Sequence, residues 1–300
     1  MSAPASNGAG VPAPACPGPV PVQHGPRTFS VPSGAVDTHA HVIGLPPQWP
    51  LVEQRSYTPP AATPQAYVDM LDATGMTRGV LVQVSVHGTD NRLMLQTLRA
   101  HPERLRGVAV MPLGLPERDY AQAAEAGVRG LRLNVLYGGG IGFDTLENYA
   151  ALAREMNWHL QFLLDVRELP QLAARISRLP VPFVVDHMGH FPVAQVTPGS
   201  EEFSTLVDLV RDGGWVKLSG AYRLSDEEPP YASTAAYAQR LMQAAPGRCV
   251  WGSDWPHVAH WRTMPTVGQL LDTLALWVPD ERQREDVLVH NPARLYGFAA

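Results

Sequence analysis

The stretch Val36-Asp37-Thr38-His39-Ala40-His41-Val42 alternates apolar or small residues with Asp37, His39 and His41, as a β-strand does. Seven further short runs, most of them rich in Val and Leu, follow it, and several are apolar on both faces, as parallel strands under helices are. The runs are Val36–Val42, Gly79–Ser85, Leu105–Met111, Gly130–Asn134, His159–Asp165, Phe183–His187, Trp215–Ala221 and Cys249–Asp254. They predict eight parallel strands.

Helical segments separate these runs, and several carry start or stop signals. Predicted helix starts lie at Thr63, Asp144, Ser200 and Ser233, and Gly75 is a predicted helix end. Eight strands with a helix after most of them predict an α/β protein, a single-domain (β/α)8 TIM barrel over residues 35–300. The alternative is a doubly wound open sheet. The glycines at 138–140 lack the spacing of a phosphate-binding loop, which disfavours a nucleotide site.

The composition excludes several classes of partner. The chain has 300 residues, 23 of them basic and 28 acidic, and a formal net charge of -5. It therefore lacks the positive field with which nucleic-acid and anionic-membrane binders attract phosphates. No apolar stretch approaches the roughly 18 residues of a membrane span, and no signal peptide is recognisable. We expect a cytoplasmic protein with no nucleic-acid or membrane partner.

Residues 1–34 differ in composition from the rest of the chain. Pro, Ala, Gly and Ser dominate them without apolar periodicity, which predicts a disordered leader with no fixed position. Cys16 lies in this leader, and Cys249 is the second cysteine. Two cysteines cannot form a disulfide framework, so redox chemistry and thiolate zinc sites are not expected.

Reactive side chains gather where the predicted strands end, which is where barrel enzymes carry their active sites. Strand alternation points His39 and His41 to the same side, so two imidazoles can meet one ligand. A single strand histidine is often an ordinary core residue. The pair at the end of strand one instead indicates a functional site.

The sixth and eighth predicted strands end in similar polar stretches. Strand six ends in Asp186-His187-Met188-Gly189-His190, and strand eight runs through Asp254-Trp255-Pro256-His257. A buried carboxylate at Asp254 is costly unless it is paired or used, so Asp254 is the candidate general base. Its alternative role is a helix N-cap.

Two arginines are candidate anchors for an anionic substrate. Arg132 lies on strand four and Arg223 follows strand seven, whereas Arg129 is expected on the surface. An arginine inside a pocket binds a carboxylate with two parallel hydrogen bonds. The loops after strands one and two add polar groups at Tyr57 and Ser85.

Taken together, these stretches resemble the amidohydrolase superfamily, in particular its 2-pyrone-4,6-dicarboxylate lactonase branch. The match covers nearly the whole chain after Gly34, and the order and spacing of the pieces make it specific. The pieces are Asp37–His41, Arg55–Pro60, Gln83–Ser85, Gly130–Asn134, Asp186–Gly189, Lys217–Gly220, Gly252–His257 and Asn291–Gly297.

The resemblance implies a hydrolase that opens a carboxylated lactone, such as 2-pyrone-4,6-dicarboxylate, by attack of an activated water on the ring carbonyl. It implies one Asp that activates water, three histidines around the carbonyl, and polar residues that hold the acid groups. These residues are Asp254; His39, His41 and His187; and Tyr57, Ser85, Arg132 and Arg223, to which we add His257 as a further substrate-binding residue.

Two segments depart from the pattern of this branch. Val135–Gly140 stands where a further arginine is expected after strand four, and Phe162-Leu163 stands where a tyrosine is expected on strand five. One carboxylate anchor is therefore missing. We expect a lactone with fewer or differently placed acid groups.

Metal-dependent relatives use a strand-five ligand, and here the only histidine of that strand, His159, lies at its opposite end. His39, His41, His187 and Asp254 form an alternative set that suits zinc or manganese. A lactone with a stabilised leaving oxygen needs less activation than an amide, so general acid–base catalysis suffices. We expect a metal-independent enzyme without a cofactor, with zinc or manganese as the alternative.

Two other functions fit the same residues. A metal-dependent decarboxylase of the superfamily would use the same histidine pair, Asp254 and an arginine anchor, and would release carbon dioxide. A non-catalytic barrel would bind an acidic small molecule and leave it unchanged.

Overall fold

Eight parallel strands form the centre of the protein and neighbour one another in the order in which they occur along the chain. The computed structural model describes residues 12–299. The strands are β1 (Val36–Ala40), β2 (Arg78–Val82), β3 (Leu105–Ala109), β4 (Val128–Asn134), β5 (His159–Leu163), β6 (Phe183–Val185), β7 (Trp215–Leu218) and β8 (Cys249–Trp251). All eight predicted strands are present, which confirms the strand prediction.

The sheet closes where β1 meets the segment after β8. The Asp254 amide donates to the His39 carbonyl at 2.8 Å, and the His41 amide donates to the Trp255 carbonyl at 2.8 Å. These bonds join the first strand to the last, as a barrel requires. The predicted single-domain (β/α)8 barrel is confirmed, and the open-sheet alternative is wrong.

Helices cover the outside of the barrel. They are α1 (Pro64–Thr74), α2 (Arg92–Ala100), α3 (Glu117–Glu125), α4 (Leu146–Glu155), α5 (Leu169–Ile176), α6 (Glu201–Arg211), α7 (Ala221–Leu224), α8 (Ala235–Ala244), α9 (Val267–Trp277), α10 (Glu281–Glu285) and α11 (Asn291–Tyr296). A 3-10 turn, Ser85–His87, follows β2, and a short turn with left-handed φ at His187 and Met188, Asp186–Gly189, follows β6. Both turns carry candidate site residues.

The predicted helix ends are correct in three places and wrong in two. Thr63 and Ser200 cap α1 and α6 through their side chains, and Gly75 ends α1 with a left-handed φ of 81°. The predicted caps Asp144 and Ser233 are wrong, because the N-caps of α4 and α8 lie one residue later along the chain. Both later caps are threonines, Thr145 and Thr234, and neither makes a side-chain capping hydrogen bond.

Seven of the eight strands end earlier than the runs that predict them, and β4 ends at the predicted residue, Asn134. Ser85 lies in the turn after β2, His187 in the turn after β6, and Asp254 in the segment after β8. Apolar residues continue past each strand because the turns themselves are buried. The candidate residues therefore lie on turns held at the carboxyl ends of strands.

Residues 12–34 lie against the barrel, which differs from the expectation of a leader with no fixed position. The Thr58 amide donates to the Pro14 carbonyl at 2.7 Å, and the Cys16 amide donates to the Thr58 carbonyl at 3.0 Å. Further along, the Thr28 amide donates to Asp272 Oδ1 at 2.9 Å. These polar contacts hold a segment that lacks apolar periodicity. Residues 1–11 of the predicted leader lie outside the described residues.

Within residues 12–299, no helix combines the length and the apolar character needed to cross a membrane. Cys16 and Cys249 are buried, and both carry free thiols in this part of the chain.

Candidate active site

A small cavity of about 10 Å³ lies at the carboxyl ends of the strands. Its wall includes seven of the nine residues that the sequence nominates, and four that it does not. The nominated ones are His41, Tyr57, Ser85, Arg132, His187, Arg223 and Asp254, and the others are Tyr137, Leu163, His190 and Val258. Residues from distant parts of the sequence thus meet at one place, as expected for a barrel active site.

The Asp254 carboxylate lies at the centre of three imidazoles. Oδ1 is 3.8 Å from His39 Nε2 and 3.7 Å from His41 Nε2, and Oδ2 is 3.7 Å from His187 Nε2. Asp254 is 1 % exposed, and the histidines are equally buried. His39 lies just behind the cavity wall, in contact with the same carboxylate.

Arg223 and Tyr222 hold the other side of Asp254. Arg223 Nε donates to Oδ2 at 2.5 Å, and the Tyr222 hydroxyl donates to the same oxygen at 2.6 Å. Burial raises the pKa of Asp254, but the Arg223 guanidinium and the surrounding histidines outweigh it and hold this pKa well below the usual range. The carboxylate is therefore ionised at neutral pH, as a general base must be.

The three histidines are neutral, since burial lowers the pKa of each, to about 3 at His39. His41 Nδ1 is 2.8 Å from the Val82 carbonyl, which can only accept, so Nδ1 carries the proton and Nε2 faces Asp254 as an acceptor. His187 Nδ1 is 2.8 Å from the Ser219 hydroxyl, which can donate to it. His187 Nε2 is then free to donate toward the cavity.

A buried ionic layer lies beneath the histidines. Lys217 Nζ donates to Gln161 Oε1 at 2.8 Å and lies 3.2 Å from His39 Nδ1 and 3.4 Å from Asp186 Oδ1. Burial lowers the pKa of Lys217 to about 8. Burial raises the pKa of Asp186, but Lys217, His39 and Arg132 outweigh it and hold it well below its usual value. This layer fixes His39 from below.

Arg132 reaches the cavity from this layer. Its Nη2 is 3.4 Å from Asp186 Oδ2, and its Nη1 donates to the Gln83 carbonyl at 3.3 Å. Its Nε has no hydrogen-bond partner among the described residues, although the residue is only 4 % exposed. An unsatisfied buried donor on the cavity wall is suited to an anionic ligand.

Tyr57 and Ser85 meet on the same wall, and the Tyr57 hydroxyl lies 3.1 Å from Ser85 Oγ. Both side chains are buried, and the pair offers hydroxyl groups beside Arg132. The loop after strand one and the turn after strand two therefore approach each other.

His257 does not reach the cavity wall. Its ring packs edge-on against Tyr222 with centroids 5.2 Å apart, and it is fully buried behind Asp254. Neither ring nitrogen has a hydrogen-bond partner among the described residues. The structure thus places His257 next to the site, and not among the groups that face the cavity.

Tyr137, His190 and Tyr222 are functional candidates that the sequence analysis does not select. His190 lies three residues after His187, and Tyr222 directly precedes Arg223. Their position beside these candidate residues is the sequence signal that could have identified them. Tyr137 lies in the loop after β4, and its approach to the cavity depends on the course of that loop. No local pattern in the sequence marks it.

Left-handed backbone conformations concentrate in the turns after β6 and β8. His187, Met188 and His190 have φ values of 52°, 51° and 47°, and Asp254 and His257 have values of 60° and 63°. Residues with a Cβ atom adopt this region at an energetic cost, and such residues cluster at functional sites. The strained turns aim His187 and Asp254 at each other.

His39, His187 and Asp254 could hold a metal ion, because their ligand atoms all lie within 4.8 Å of one another. His39 Nε2 and Asp254 Oδ1 lack hydrogen-bond partners among the described residues, which fits this role. Imidazole and carboxylate are ligands that zinc accepts. The Arg223 guanidinium already brings a positive charge to the same carboxylate. The donor set therefore fits a metal, and the charge balance works without one.

The amidohydrolase family profile matches residues 36–298. The chain belongs to the amidohydrolase family. This agrees with the resemblance seen in the strand-end stretches, and the match begins at the first residue of β1.

Named relatives in this family act on lactones. A 4-sulfomuconolactone hydrolase of Hydrogenophaga intermedia is 36% identical over 299 residues, which cover 96% of this chain and 96% of the relative. A 2-pyrone-4,6-dicarboxylate hydrolase of Comamonas testosteroni is 34% identical and covers 89% of this chain and 92% of its own. The resemblance to the lactonase branch is confirmed.

A solved structure supports the same fold. A candidate 2-pyrone-4,6-dicarboxylic acid hydrolase from Acinetobacter baumannii, with citric acid bound, superposes with a TM-score of 0.78. It is 28% identical, and the match covers 88% of this chain and all of the other. The barrel is therefore shared by this amidohydrolase and its lactonase relatives.

Proposed function

We propose that this amidohydrolase opens a carboxylated lactone by metal-independent hydrolysis. The observation that carries the proposal is the ionised Asp254 carboxylate, which three neutral imidazoles surround and which shares the cavity wall with Arg132 and Arg223. Relatives that hydrolyse 2-pyrone-4,6-dicarboxylate and 4-sulfomuconolactone support a lactone that carries acid groups. A relative with bound citric acid supports an acidic ligand for this chain.

Substrate binding begins with the arginines. An acid group of the lactone accepts hydrogen bonds from the unpaired Nε of Arg132 and from the Arg223 guanidinium. The hydroxyl groups of Tyr57 and Ser85 lie beside Arg132. Two guanidinium groups on one buried wall hold a carboxylate firmly, because charge-assisted hydrogen bonds are the strong ones. The anchored ring then presents its carbonyl carbon to Asp254.

Asp254 takes a proton from water as the water oxygen bonds to the ring carbonyl carbon. His41 Nε2 accepts from the same water and orients it, because Nδ1 is committed to Val82. His187 Nε2 donates to the carbonyl oxygen as negative charge develops there, with Ser219 holding the other nitrogen. A single donor of this kind is worth about 10²–10³-fold in rate.

Ring opening completes the reaction. The carbonyl re-forms, the bond between the carbonyl carbon and the ring oxygen breaks, and the proton held by Asp254 passes to the leaving oxygen. The product is an open-chain hydroxy acid or its keto form, with one more carboxylate than the substrate. No electron transfer and no co-reactant other than water is needed.

A bound metal would be held by His39, His187 and Asp254 and would lower the pKa of water to about 7. Arg223 supports a metal-independent mechanism, because its guanidinium pairs with the Asp254 carboxylate that a metal ion would also bind. This mechanism is further supported by the low barrier expected of a lactone with a stabilised leaving oxygen.

Hydrolysis assays with and without a chelator test the proposal. The purified chain is given 2-pyrone-4,6-dicarboxylate, 4-sulfomuconolactone and mono-acid lactones, before and after chelation and with zinc or manganese restored. We expect ring opening that survives chelation. Activity that disappears on chelation and returns with metal contradicts metal independence. Release of carbon dioxide identifies a decarboxylase, and binding without turnover identifies a non-catalytic barrel.

A further inference from the structure

The cavity is too small for any lactone in the conformation described. Its volume is about 10 Å³, whereas a single water needs roughly 10–15 Å³ by the same kind of measure. Pockets for small molecules span about 300–1,000 Å³. A substrate therefore enters only if part of the wall moves.

A second cavity of about 550 Å³ adjoins the first, and both are lined by His190 and Arg223. Leu136 lines the larger cavity, and the next residue, Tyr137, lines the smaller one. The two cavities are thus separated at His190 and Arg223. A side chain resting on these two residues forms the partition.

Tyr137 is that side chain. Its hydroxyl is 3.4 Å from Arg223 Nη1 and 3.5 Å from His190 Nε2, and its ring lies edge-on to Tyr57 with centroids 5.7 Å apart. Both polar contacts are long, so they are weak. The hydroxyl occupies an N–H of Arg223 that a substrate carboxylate would otherwise use.

The loop that carries Tyr137 is held mainly by Asn134, at the end of β4. The Asn134 side chain accepts from the Leu136 and Tyr137 amides at 2.9 and 3.2 Å. The Gly138 amide donates to Ser56 Oγ at 3.0 Å. The Val135 amide also donates to the Leu163 carbonyl at 3.2 Å, and the Ile141 carbonyl accepts from the Asn134 amide at 2.8 Å, so the loop over residues 135–142 is tied near its two ends. Between these ends, the Tyr137 side chain makes only the two long polar contacts with Arg223 and His190 in the described part of the chain.

Two glycines, Gly138 and Gly139, let this loop lie tightly against its neighbours. A Cβ atom at Gly138 would lie 1.8 Å from the Gln54 carbonyl oxygen, and one at Gly139 would lie 2.3 Å from the Ser85 carbonyl oxygen. Gly139 also has a left-handed φ of 92°. By contrast, a Cβ atom at Gly142 would meet its nearest neighbour at 3.7 Å, which is ordinary contact. The glycine run therefore serves close approach of the loop.

We propose that residues 135–142 form a gate and that Tyr137 is its closing side chain, which competes with the substrate's acid group for Arg223. Withdrawal of Tyr137 joins the small cavity to the larger one and gives a space of the size that a lactone needs. Tyr137 then determines which acidic lactones enter. The identity of the ligand rests on the proposed function, whereas the opening of the cavity does not.

A cysteine placed inside the cavity tests the gate without any substrate. Leu163 lines the cavity and is 2 % exposed, so Leu163→Cys reacts with iodoacetamide only when the cavity opens. Adding Tyr137→Ala should speed this labelling about tenfold, the factor that corresponds to about 1.4 kcal/mol of lost closing interactions. Peptide mass spectrometry separates the new thiol from Cys16 and Cys249.

Glycine variants supply the matched control in the same loop. Gly139→Ala should also speed labelling, because the loop must lift from Ser85, and Gly142→Ala should leave it unchanged. Equal labelling rates with and without the Tyr137→Ala substitution would overturn the gate. If Leu163→Cys does not fold, Val258→Cys on the same cavity wall replaces it.

Citrate binding tests the competition for Arg223. Calorimetry compares the unaltered chain with Tyr137→Phe, which removes the hydroxyl and keeps the ring. We expect the citrate Kd of Tyr137→Phe to be about threefold to tenfold lower, because an N–H of Arg223 is released. Equal, weaker or undetectable citrate binding by Tyr137→Phe would mean that the hydroxyl does not compete with acid groups, whatever the hydrolysis assays show.

Discussion

Asp254 is buried in the segment after the apolar strand β8, where an isolated carboxylate would be strongly disfavoured. Arg223, Tyr222 and three imidazoles offset that penalty and keep the group ionised. The alternative of a helix cap is wrong, because the next helix, α9, begins only at Val267. In the sequence, a carboxylate next to an apolar strand marked Asp254 as a candidate. The residues that stabilise its charge lie on elements far away in the chain, which the sequence alone does not bring together.

Asp254→Asn should reduce kcat by at least about 10²–10⁴-fold, the range that general acid–base catalysis supplies. The amide keeps an oxygen that accepts from Tyr222 and Arg223, so binding of the lactone should change little. Steady-state assays and calorimetry measure kcat and Kd separately. Asp208→Asn is the control, since Asp208 forms an exposed pair with Arg211 on α6, away from Asp254. Turnover within tenfold of the parent would remove Asp254 from the base role.

Tyr137 and His190 mark the limit of residue-level inference. His190 follows His187 by three positions, and its left-handed φ of 47° turns the ring toward the cavity. Burial lowers its pKa to about 4, so it is neutral at the site. Sequence alone does not reveal such turns, because a non-glycine residue in this backbone region is held there by surrounding tertiary contacts.

At the scale of elements, strands were predictable because a buried parallel strand needs an apolar run on both faces. All eight runs became strands, although the runs extended into buried turns. Loops were less predictable. The course of residues 135–142 depends on the space that Gly138 and Gly139 leave for the Gln54 and Ser85 carbonyls, and those residues lie on two other loops. Such contacts cannot be read from a local pattern.

The strands also carry the ionic layer under the site. Lys217 on β7 bridges Gln161 on β5 and Asp186 after β6, and all three are fully buried. Arg132 on β4 approaches the same carboxylate. The layer links four adjacent elements of the barrel at the level directly below His39. These contacts fix the four elements relative to one another and hold the His39 imidazole in place.

Lys217→Met should lower the free energy of unfolding by about 3 kcal/mol, because it leaves the buried Asp186 carboxylate with fewer partners. Arg132 remains near Asp186 and limits the loss. Urea denaturation measures the change. Arg211→Met removes a cation from an exposed pair with Asp208 and should shift stability by less than about 0.5 kcal/mol. An equally small effect of Lys217→Met would show that the layer adds no net stability.

At the scale of the whole molecule, the barrel makes the site out of segments that the sequence keeps far apart. The family resemblance predicted this assembly, because the order of the strand-end stretches fixes their place around the barrel. The resemblance did not predict that residues 12–34 pack against the barrel, and the composition of these residues suggested disorder. That segment is held by backbone pairing at Thr58 and by the Asp272 carboxylate, and neither contact requires an apolar pattern.

Deletion of residues 1–30 should lower thermal stability and weaken substrate binding. The deletion removes the bonds to Thr58, the amide bonds to Asp272 and the bond from Val267 to Gln23 at the start of α9. Losing about 2–3 kcal/mol of such contacts corresponds to a fall in Tm of roughly 3–5 °C for a chain of this size. Thr58 follows Tyr57 directly, so KM should rise as the loop loosens, while kcat should change little.

Calorimetric unfolding and steady-state assays of the truncated chain measure both effects. Asp272→Ala is the matched control, because it removes the tie at residues 27–28 and leaves the pairing at Thr58 intact. It should lower Tm by less than the deletion does and should leave KM unchanged, since the tie lies away from Tyr57. If the deletion leaves both Tm and KM at the parent values, residues 12–30 add nothing to the barrel. A fall in Tm without a change in KM would instead limit their role to stability, and Tyr57 would then be held by Ser85 and the barrel alone.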